Sequence, residues 1–306
     1  MPATSLRALL ARSIDYAGLF PPATLELEPS LRNYAEYNRA PEAWMLGPFI
    51  LPVAQFDAAA RDISQFEKKY PLRVSALGPR TDSAEAFVQS VAAAMDSIAS
   101  FRGAASGLAS VEQFEMPLPA DVNADVLQAI RSRIEPELAT FWEAPAKAAD
   151  RVTELLAEIN RANPGRTKFG FKLRTGGVTA EAFPSSAEIA AVLMAAGHQQ
   201  VPIKFTAGLH HPVRLFHESV QTKMHGFLNV LGAAVLALEH QWSEAEIIRM
   251  LDDEDPGSFS FTDEVFAWRD CEISAAQISA RRELVTSLGS CSFDEPRDDL
   301  RALKLL

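Results

Sequence analysis

Two lysines, Lys172 and Lys204, occupy the same point of two similar segments, Lys172-Leu173-Arg174-Thr175-Gly176 and Lys204-Phe205-Thr206-Ala207-Gly208. Each follows an apolar, strand-like run and precedes a glycine turn. On neighbouring parallel strands such lysines stand side by side, and a cation beside a lysine is one way to free its amine at neutral pH. An isolated lysine, with a pKa near 10.4, is neutral in only about one copy in 2,500 at pH 7. A second ammonium about 6 Å away, at an effective dielectric of about 20, costs the charged form about 2.8 kcal/mol. That is about two pKa units, and desolvation adds to it. The resulting free amine is able to attack a carbonyl and form an imine, chemistry that calls for no cofactor.

Acidic, imidazole and glycine residues cluster around the same positions. Glu115-Met116-Pro117 and Glu143-Ala144-Pro145 close two strand-like runs. Either glutamate suits a general base or proton relay; either could instead neutralise Lys172 or Arg174, and tight pairing would keep the lysine pKa values high. Strand alternation puts Arg174 on the face of Lys172 and Thr206 on the face of Lys204. The segment Gly208-Leu209-His210-His211-Pro212, followed by His217, His225 and Asn229, brings imidazoles next to these strands. Polar contact with substrate is the preferred reading of His210 and His211. Completion of a metal site with Glu115 and Glu143, as in a metal-dependent hydrolase or lyase, is the alternative. The helical i, i+4 histidine pair is absent, so no metal ligand is assigned. Gly289-Ser290-Cys291-Ser292 offers backbone N–H groups and hydroxyls to an anion, with Gly176 and Gly208 around it and Arg174 as the charged partner.

These residues need a scaffold that gathers strand ends. Eight strand-like runs recur, at 13–20, 47–52, 72–78, 110–116, 139–144, 168–175, 201–207 and 285–291. Helix-period runs lie between them, such as 84–100 with Phe87, Val91, Met95 and Ile98 on one face, 151–161 and 187–196. Glu115, Glu143, Lys172 and Lys204 follow one another at steps of about 30 residues, the size of a β-α unit. Eight such units predict an α/β fold, a closed (β/α)8 barrel forming one domain over 1–306, with its chemistry at the C-terminal ends of the strands. The run 98–102 is open to a second reading as an extra short strand, which would shift the count. Between Ala207 and Val285 about 78 residues intervene, far more than one unit needs. This insertion, 212–284, contains an apolar helix at 224–240, a helix opened by the capping pair Ser243 and Glu246, an extended piece at 259–268 and a helix from Ser274. It reads as a lid over the active face or as a packed decoration.

Composition narrows the function classes. Hydrophobic residues at 48% and charged residues at 23% are ordinary for a globular enzyme. The net charge of -11 argues against nucleic-acid or anionic-membrane partners and leaves a small-molecule substrate. Cys271 and Cys291 lack metal spacing and read as reduced thiols. Arg7, Arg12 and Asp15 interrupt any signal-peptide core, and the longest apolar stretch, 227–238, is too short for a membrane span. A cytoplasmic protein is expected, with a homo-oligomer compatible with exposed barrel helices.

Four separated pieces resemble the deoxyribose-phosphate aldolases, class I enzymes that work through a lysine Schiff base. Ile14-Asp15-Tyr16-Ala17-Gly18-Leu19-Phe20-Pro21-Pro22-Ala23-Thr24 is similar to their first strand-loop. The Lys172 and Lys204 segments resemble their two lysine segments, and Gly289-Ser290 their closing phosphate-binding turn; together the pieces cover about 35 residues. The resemblance implies that Lys172 forms the imine, that Lys204 depresses its pKa, and that Gly208, Gly289 and Ser290 touch a phosphate. The family's strand-four aspartate has Glu115, less readily Glu112, as its nearest counterpart. Arg174 stands where the family has a small residue, and the His210-His211 pair and the insertion are foreign to it, which points to a divergent branch. The expectation is therefore an aldolase-like lyase acting on a small oxygenated carbonyl compound, phosphorylated or not. Glu115 serves as relay, and Asp15 sits at the mouth to position a hydroxyl or a lysine. Arg174, Glu143, Thr206, Gly176, His210 and His211 contact the substrate. A non-catalytic metabolite-binding barrel is the remaining alternative.

Overall fold

All eight strand-like runs form strands in the computed structural model, which describes residues 1–306. They are β1 (Ile14–Tyr16), β2 (Leu46–Pro52), β3 (Leu72–Leu77), β4 (Ala109–Pro117), β5 (Ala139–Glu143), β6 (Phe169–Arg174), β7 (Ile203–Thr206) and, after the insertion, β13 (Val285–Ser290). Every neighbouring pair is parallel, and β13 pairs with both β1 and β7, closing the barrel. The chain is a (β/α)8 barrel.

Alternation along the strands separates two environments. On β5 and β6 the outward residues Trp142, Phe169, Phe171 and Leu173 are buried under the helices. Trp142 meets Phe87, Phe114 and Phe169 edge-on, with ring centroids 5.2, 5.9 and 5.3 Å away. The inward residues of the same strands are Phe141, Glu143, Lys172 and Arg174. Gly170 also points inward: a Cβ there would lie 2.6 Å from the Phe141 ring and 2.8 Å from the Pro202 carbonyl. Its missing side chain is the space that Phe141 fills.

Helices α1 (Thr4–Leu10), α2 (Leu27–Tyr37), α3 (Phe56–Arg61), α4 (Ala84–Ala104), α5 (Ala124–Arg131), α6 (Ala149–Ala162) and α7 (Ser186–Gln199) precede β7. The run 98–102 is the last part of α4 and adds no strand. Ile98 and Phe101 are buried there with Phe87 and Val91, so the helical period over the whole segment outweighs the local strand-like composition.

The insertion divides into two parts with different places in the fold. An antiparallel hairpin, β8 (Leu215–His217) and β9 (Thr222–Met224), comes first. Then follow α8 (Phe227–His240), α9 (Glu244–Leu251), a three-stranded antiparallel sheet of β10 (Phe259–Phe261), β11 (Val265–Trp268) and β12 (Cys271–Ser274), and α10 (Ala275–Arg281). Helix α8 is buried on all sides from Phe227 to Leu236 because it packs against β13 on one face and α9 and β12 on the other. It fills the place of the barrel's outer helix between β7 and β13. The sheet and α10 lie against α1, with Ser5 N–H donating to the Thr262 carbonyl at 3.2 Å. From α8 onward the insertion 212–284 is packed against the barrel, while the hairpin borders the rim beside Gly177, Val178 and His210. Helix α11 (Asp294–Ala302) follows β13 and closes the chain's circuit. No helix is long and apolar enough to cross a membrane.

Candidate active site

Lys172 and Lys204 are directly opposite each other in the pairing of β6 with β7. Neighbouring strands lie about 4.8 Å apart, so both side chains project into the barrel together. The paired amines were anticipated, but a carboxylate stands between them. Glu115 on β4 receives Lys172 Nζ at Oε2 (2.7 Å) and Lys204 Nζ at Oε1 (2.9 Å). Lys172 Nζ also lies 2.9 Å from Glu143 Oε2. Lys204 Nζ lies 2.6 Å from Asp15 Oδ2 and donates to Gln113 Oε1 at 2.7 Å.

The electrostatics follow from this ladder. Burial pushes the Glu115 carboxyl up, but the ammonium groups of Lys172 and Lys204 outweigh it and hold the group well below the usual carboxylate range. Burial pulls Lys204 down, yet Asp15 and Glu115 leave its ammonium above the ordinary lysine value. Asp15 is raised, burial exceeding the opposing pull of Lys204. The expected repulsion between two bare ammonium groups is therefore absent: Lys204 is a satisfied cation, and Glu115 screens it from Lys172.

A cavity of about 550 Å³ opens at the C-terminal ends of the strands, with Lys172 as the only lysine in its lining. Glu143, Arg174, Gly176, Thr206, Gly208, His210 and Gly289 line it as the sequence suggested. Asp15, Glu115 and Lys204 are fully buried beneath the floor. Asp15 accordingly does not sit at the mouth; it holds Lys204 from below, steadied by the Ser287 hydroxyl donating to Oδ2 at 2.8 Å. Gly47 leaves it room, since a Cβ there would lie 1.9 Å from Asp15 Oδ1. Glu112, the second-choice counterpart on β4, sits at a register irregularity of the strand and pairs with Arg12, not with either lysine.

The loops at the rim are built on glycine and a left-handed turn. Ala207 and Gly208 have φ of 64° and 76°, which carries the chain from β7 back toward the loop after β6. Gly176 and Gly208 are in backbone contact, where a Cβ on either would lie within 2.8 Å of the other's Cα. Thr175 Oγ1 donates to the Ala207 carbonyl at 2.6 Å and locks the two loops together. Gly289 faces the cavity over Thr206 and Ile50. Ser290, one residue on, points to the other side of β13, pairs in register with Tyr16 and accepts from Ser292 N–H at 3.4 Å. It is not part of the cavity wall, and alternation is the reason.

The histidines do not join the glutamates of the floor. His210 Nδ1 lies 3.2 Å from Glu295 Oε2 and 3.9 Å from Cys291 Sγ. Burial draws the His210 imidazole down, but Cys291 and Glu295 push it up to about 9. His211 Nδ1 pairs with Asp299 Oδ2 at 2.7 Å, and its ring stacks on His217 at 5.4 Å. Both partners come from α11, while Glu115 and Glu143 are taken by lysines, so the alternative site of His210, His211, Glu115 and Glu143 is not assembled. No group of three His, Cys, Asp or Glu side chains is arranged to share a metal ion. His225 and Asn229 are structural: His225 Nε2 donates to the Pro184 carbonyl at 2.7 Å, and Asn229 links Arg214 to the end of α9.

Four participants were not singled out from the sequence. Gln113 lies two residues before Glu115 on the same face of β4, and Ser75 and Ser287 face inward on β3 and β13. Alternation counted from Glu115 and Gly289 finds Gln113 and Ser287. Arg80, exposed in the loop after β3, lines the cavity without an ion-pair partner; a lone arginine after a strand carries no signal of its own. A second cavity, about 340 Å³, lies at the other end of the barrel near Ile203 and Val285, has a largely apolar lining and holds none of the paired charges.

No family model and no curated protein matches the chain. Among solved structures it is similar to the malate synthase of Haloferax volcanii in a pyruvate/acetyl-CoA ternary complex, at 13% identity, covering 97% of this chain and 76% of that one, with a TM-score of 0.43. It is similar to a GH10 endoxylanase from a sugarcane soil metagenome at 13% identity, 71% of each chain and a TM-score of 0.41. It is also similar to a protein from Coccidioides immitis assigned as a deoxyribose-phosphate aldolase, at 12% identity, 96% of this chain and 86% of that one, with a TM-score of 0.38. At these scores none of them bears on the chemistry, which rests on the side chains of the cavity.

Proposed function

We propose that the barrel is an imine-forming lyase of aldolase type, with Lys172 as nucleophile, acting on a small oxygenated carbonyl compound that bears an anionic group such as a phosphate. One observation carries this reading: Lys172 presents the only amine in the mouth cavity, 2.9 Å from a carboxylate, Glu143, that lines the same cavity. A nucleophile within hydrogen-bond reach of a base, itself oriented by further groups, is the arrangement that covalent catalysis requires.

Glu143 takes a proton from the Lys172 ammonium, and the freed amine adds to the carbonyl carbon as the carbonyl electron pair moves to oxygen. Two protons convert that oxygen to water, which leaves as the nitrogen lone pair forms the C=N bond. The cationic imine then accepts the electron pair of the C–C bond one carbon away while Glu143 removes the proton of the hydroxyl on the departing carbon. An aldehyde leaves, and the enamine that remains is protonated on carbon and hydrolysed, restoring Lys172. Glu115, Lys204 and Asp15 do not touch the substrate in this scheme; they are positioning residues that fix the Lys172 ammonium between two carboxylates. Arg80 and Arg174 take the anionic end, and His210 orients an oxygen from the rim.

The test is reductive trapping. Borohydride added with a broad panel of aldehydes and ketones, followed by intact mass and peptide mapping, should place a substrate-derived adduct on Lys172, and Lys172→Ala should abolish it. Absence of any adduct on Lys172 across the panel overturns the proposal. Metabolite binding that persists in Lys172→Ala, without turnover, would instead make the chain a binding protein.

A further inference from the structure

We infer that the β8–β9 hairpin builds a second compartment of the active-site cavity, one that receives a neutral, hydroxylated carbon chain extending away from the carbonyl held at Lys172. The inference deepens the reading of Lys172 as the reacting amine and rests on it for the direction in which the chain runs.

A cavity of about 160 Å³ adjoins the main one and shares Pro22, Gly177, Val178 and His210 with it, so the two are neighbours at the rim. Its far side is made by the insertion: His217, Ser219, Val220 and Met224 all come from the hairpin. The hairpin is a fixed wall. Phe227 N–H donates to the His211 carbonyl at 2.9 Å and Leu228 N–H to the Pro212 carbonyl at 2.8 Å, tying the start of α8 to the loop before the hairpin. Arg214, at the hairpin's base, is held through its N–H by Asn229 Oδ1 at 2.9 Å and through its guanidinium by His225 Nδ1 at 3.0 Å.

The chemistry of the lining selects the ligand. Two of its imidazoles are already paired with carboxylates, His210 with Glu295 and His211 with Asp299. Each imidazole faces a carboxylate, so the compartment offers no unpaired cation to an anion. His217 Nδ1 accepts from the Ser219 hydroxyl at 2.8 Å and from Ser219 N–H at 3.3 Å, so Nε2 faces the space as the ring donor and Ser219 Oγ as an acceptor. The wall therefore mixes ring N–H donors, a hydroxyl and the half-exposed Glu295 carboxylate with the apolar surfaces of Val178, Val220 and Met224. Donors and acceptors set against an apolar face match successive hydroxyl-bearing carbons, whose O–H groups both donate and accept while their C–H faces pack.

Ribitol, a polyol without a carbonyl, isolates this compartment from imine chemistry. Calorimetric titration of the full chain should show ribitol binding about 30-fold more tightly than glycerol, the ratio expected from two net hydrogen bonds. The double variant His217→Ala/Ser219→Ala should bind both at the glycerol level. Val220→Trp, which fills the space without removing a polar group, should abolish the preference as well. Both variants change partly exposed hairpin positions, and borohydride trapping of a short carbonyl compound such as dihydroxyacetone on Lys172 should persist in each. Equal affinity for ribitol and glycerol in the unaltered protein overturns the inference, and so does a preference that survives both variants. Failure of the imine reading would be seen separately, as missing borohydride adducts with ribitol binding intact.

Discussion

Glu115 is the residue on which the interior charges turn, because each of its oxygens serves a different lysine. Its ionised form is favoured in the folded protein, so the sign of its contribution to stability is fixed. A carboxyl whose folded pKa lies below its unfolded value of about 4.3 stabilises the fold above that pH. The contribution declines as the pH falls below the unfolded value and is gone below the depressed folded value, well into acid. Removing the charge leaves Lys172 and Lys204 adjacent with one shared counter-charge fewer. Breaking a buried pair in this way costs about 3–5 kcal/mol. Glu115→Gln should therefore be destabilised by that order at pH 7 in chemical denaturation, and its deficit relative to the unaltered protein should shrink as the pH is lowered below about 4. An unchanged midpoint at pH 7 would show that the ladder of charges adds nothing to stability. The sequence named the members of this ladder but not its order, since spacing along a strand tells which residues face inward and not which carboxylate reaches which amine.

At the scale of elements, the strands were legible because their outward faces are apolar and their ends carry Pro or Gly, a pattern that survives in a single chain. The 98–102 run is ambiguous by itself because a short apolar window does not separate strand from helix, whereas the longer helical stripe through Phe87, Val91 and Ile98 does. The insertion was legible as an insertion, yet its division was not: α8 is apolar all round, which says it is buried but not against what. Asn229, a polar residue in that apolar run, marks where α8 is fastened. Its Oδ1 accepts from Arg214 N–H, and its Nδ2 donates to the Met250 and Asp253 carbonyls at 2.7 and 2.8 Å. Asn229→Ala removes the partner of the Arg214 N–H and of the Asp253 carbonyl, each worth about 1–3 kcal/mol when left unsatisfied, while the Met250 carbonyl keeps the Asp253 N–H at 3.3 Å. The variant should lose at least about 2 kcal/mol in urea denaturation, and hydrogen exchange should show the amide of Arg214 and the hairpin it leads into opening far more often. Exchange unchanged across 212–226 would mean that the hairpin is held by something other than this side chain.

At the scale of the whole molecule, the distribution of charge runs against the net charge. The chain carries -11, while the mouth cavity is lined by Arg80, Lys172 and Arg174 with Glu143 as its one carboxylate. Arg80 has no ion-pair partner, and the nearest carboxylate to Arg174 is Glu143, its Nε 3.7 Å from Oε1. An acidic surface repels anions in general, and a cationic recess within it focuses them at one place. A hydrogen bond to a charged group contributes about 1.5–3 kcal/mol, which is about 10- to 150-fold in affinity. Arg80→Ala and Arg174→Ala should each weaken an anionic carbonyl compound by that range, measured as the concentration giving half-maximal borohydride adduct on Lys172. A neutral compound of the same length should be trapped equally well by all three proteins. Salt supplies an independent check, since the screening length falls from about 30 Å at 0.01 M to about 3 Å at 1 M ionic strength. Half-saturation by the anionic compound should rise across that range while the neutral one stays constant. If both compounds respond alike to salt and to the loss of either arginine, the guanidinium groups are solvated surface charges and the substrate's anionic end, if it has one, is held elsewhere.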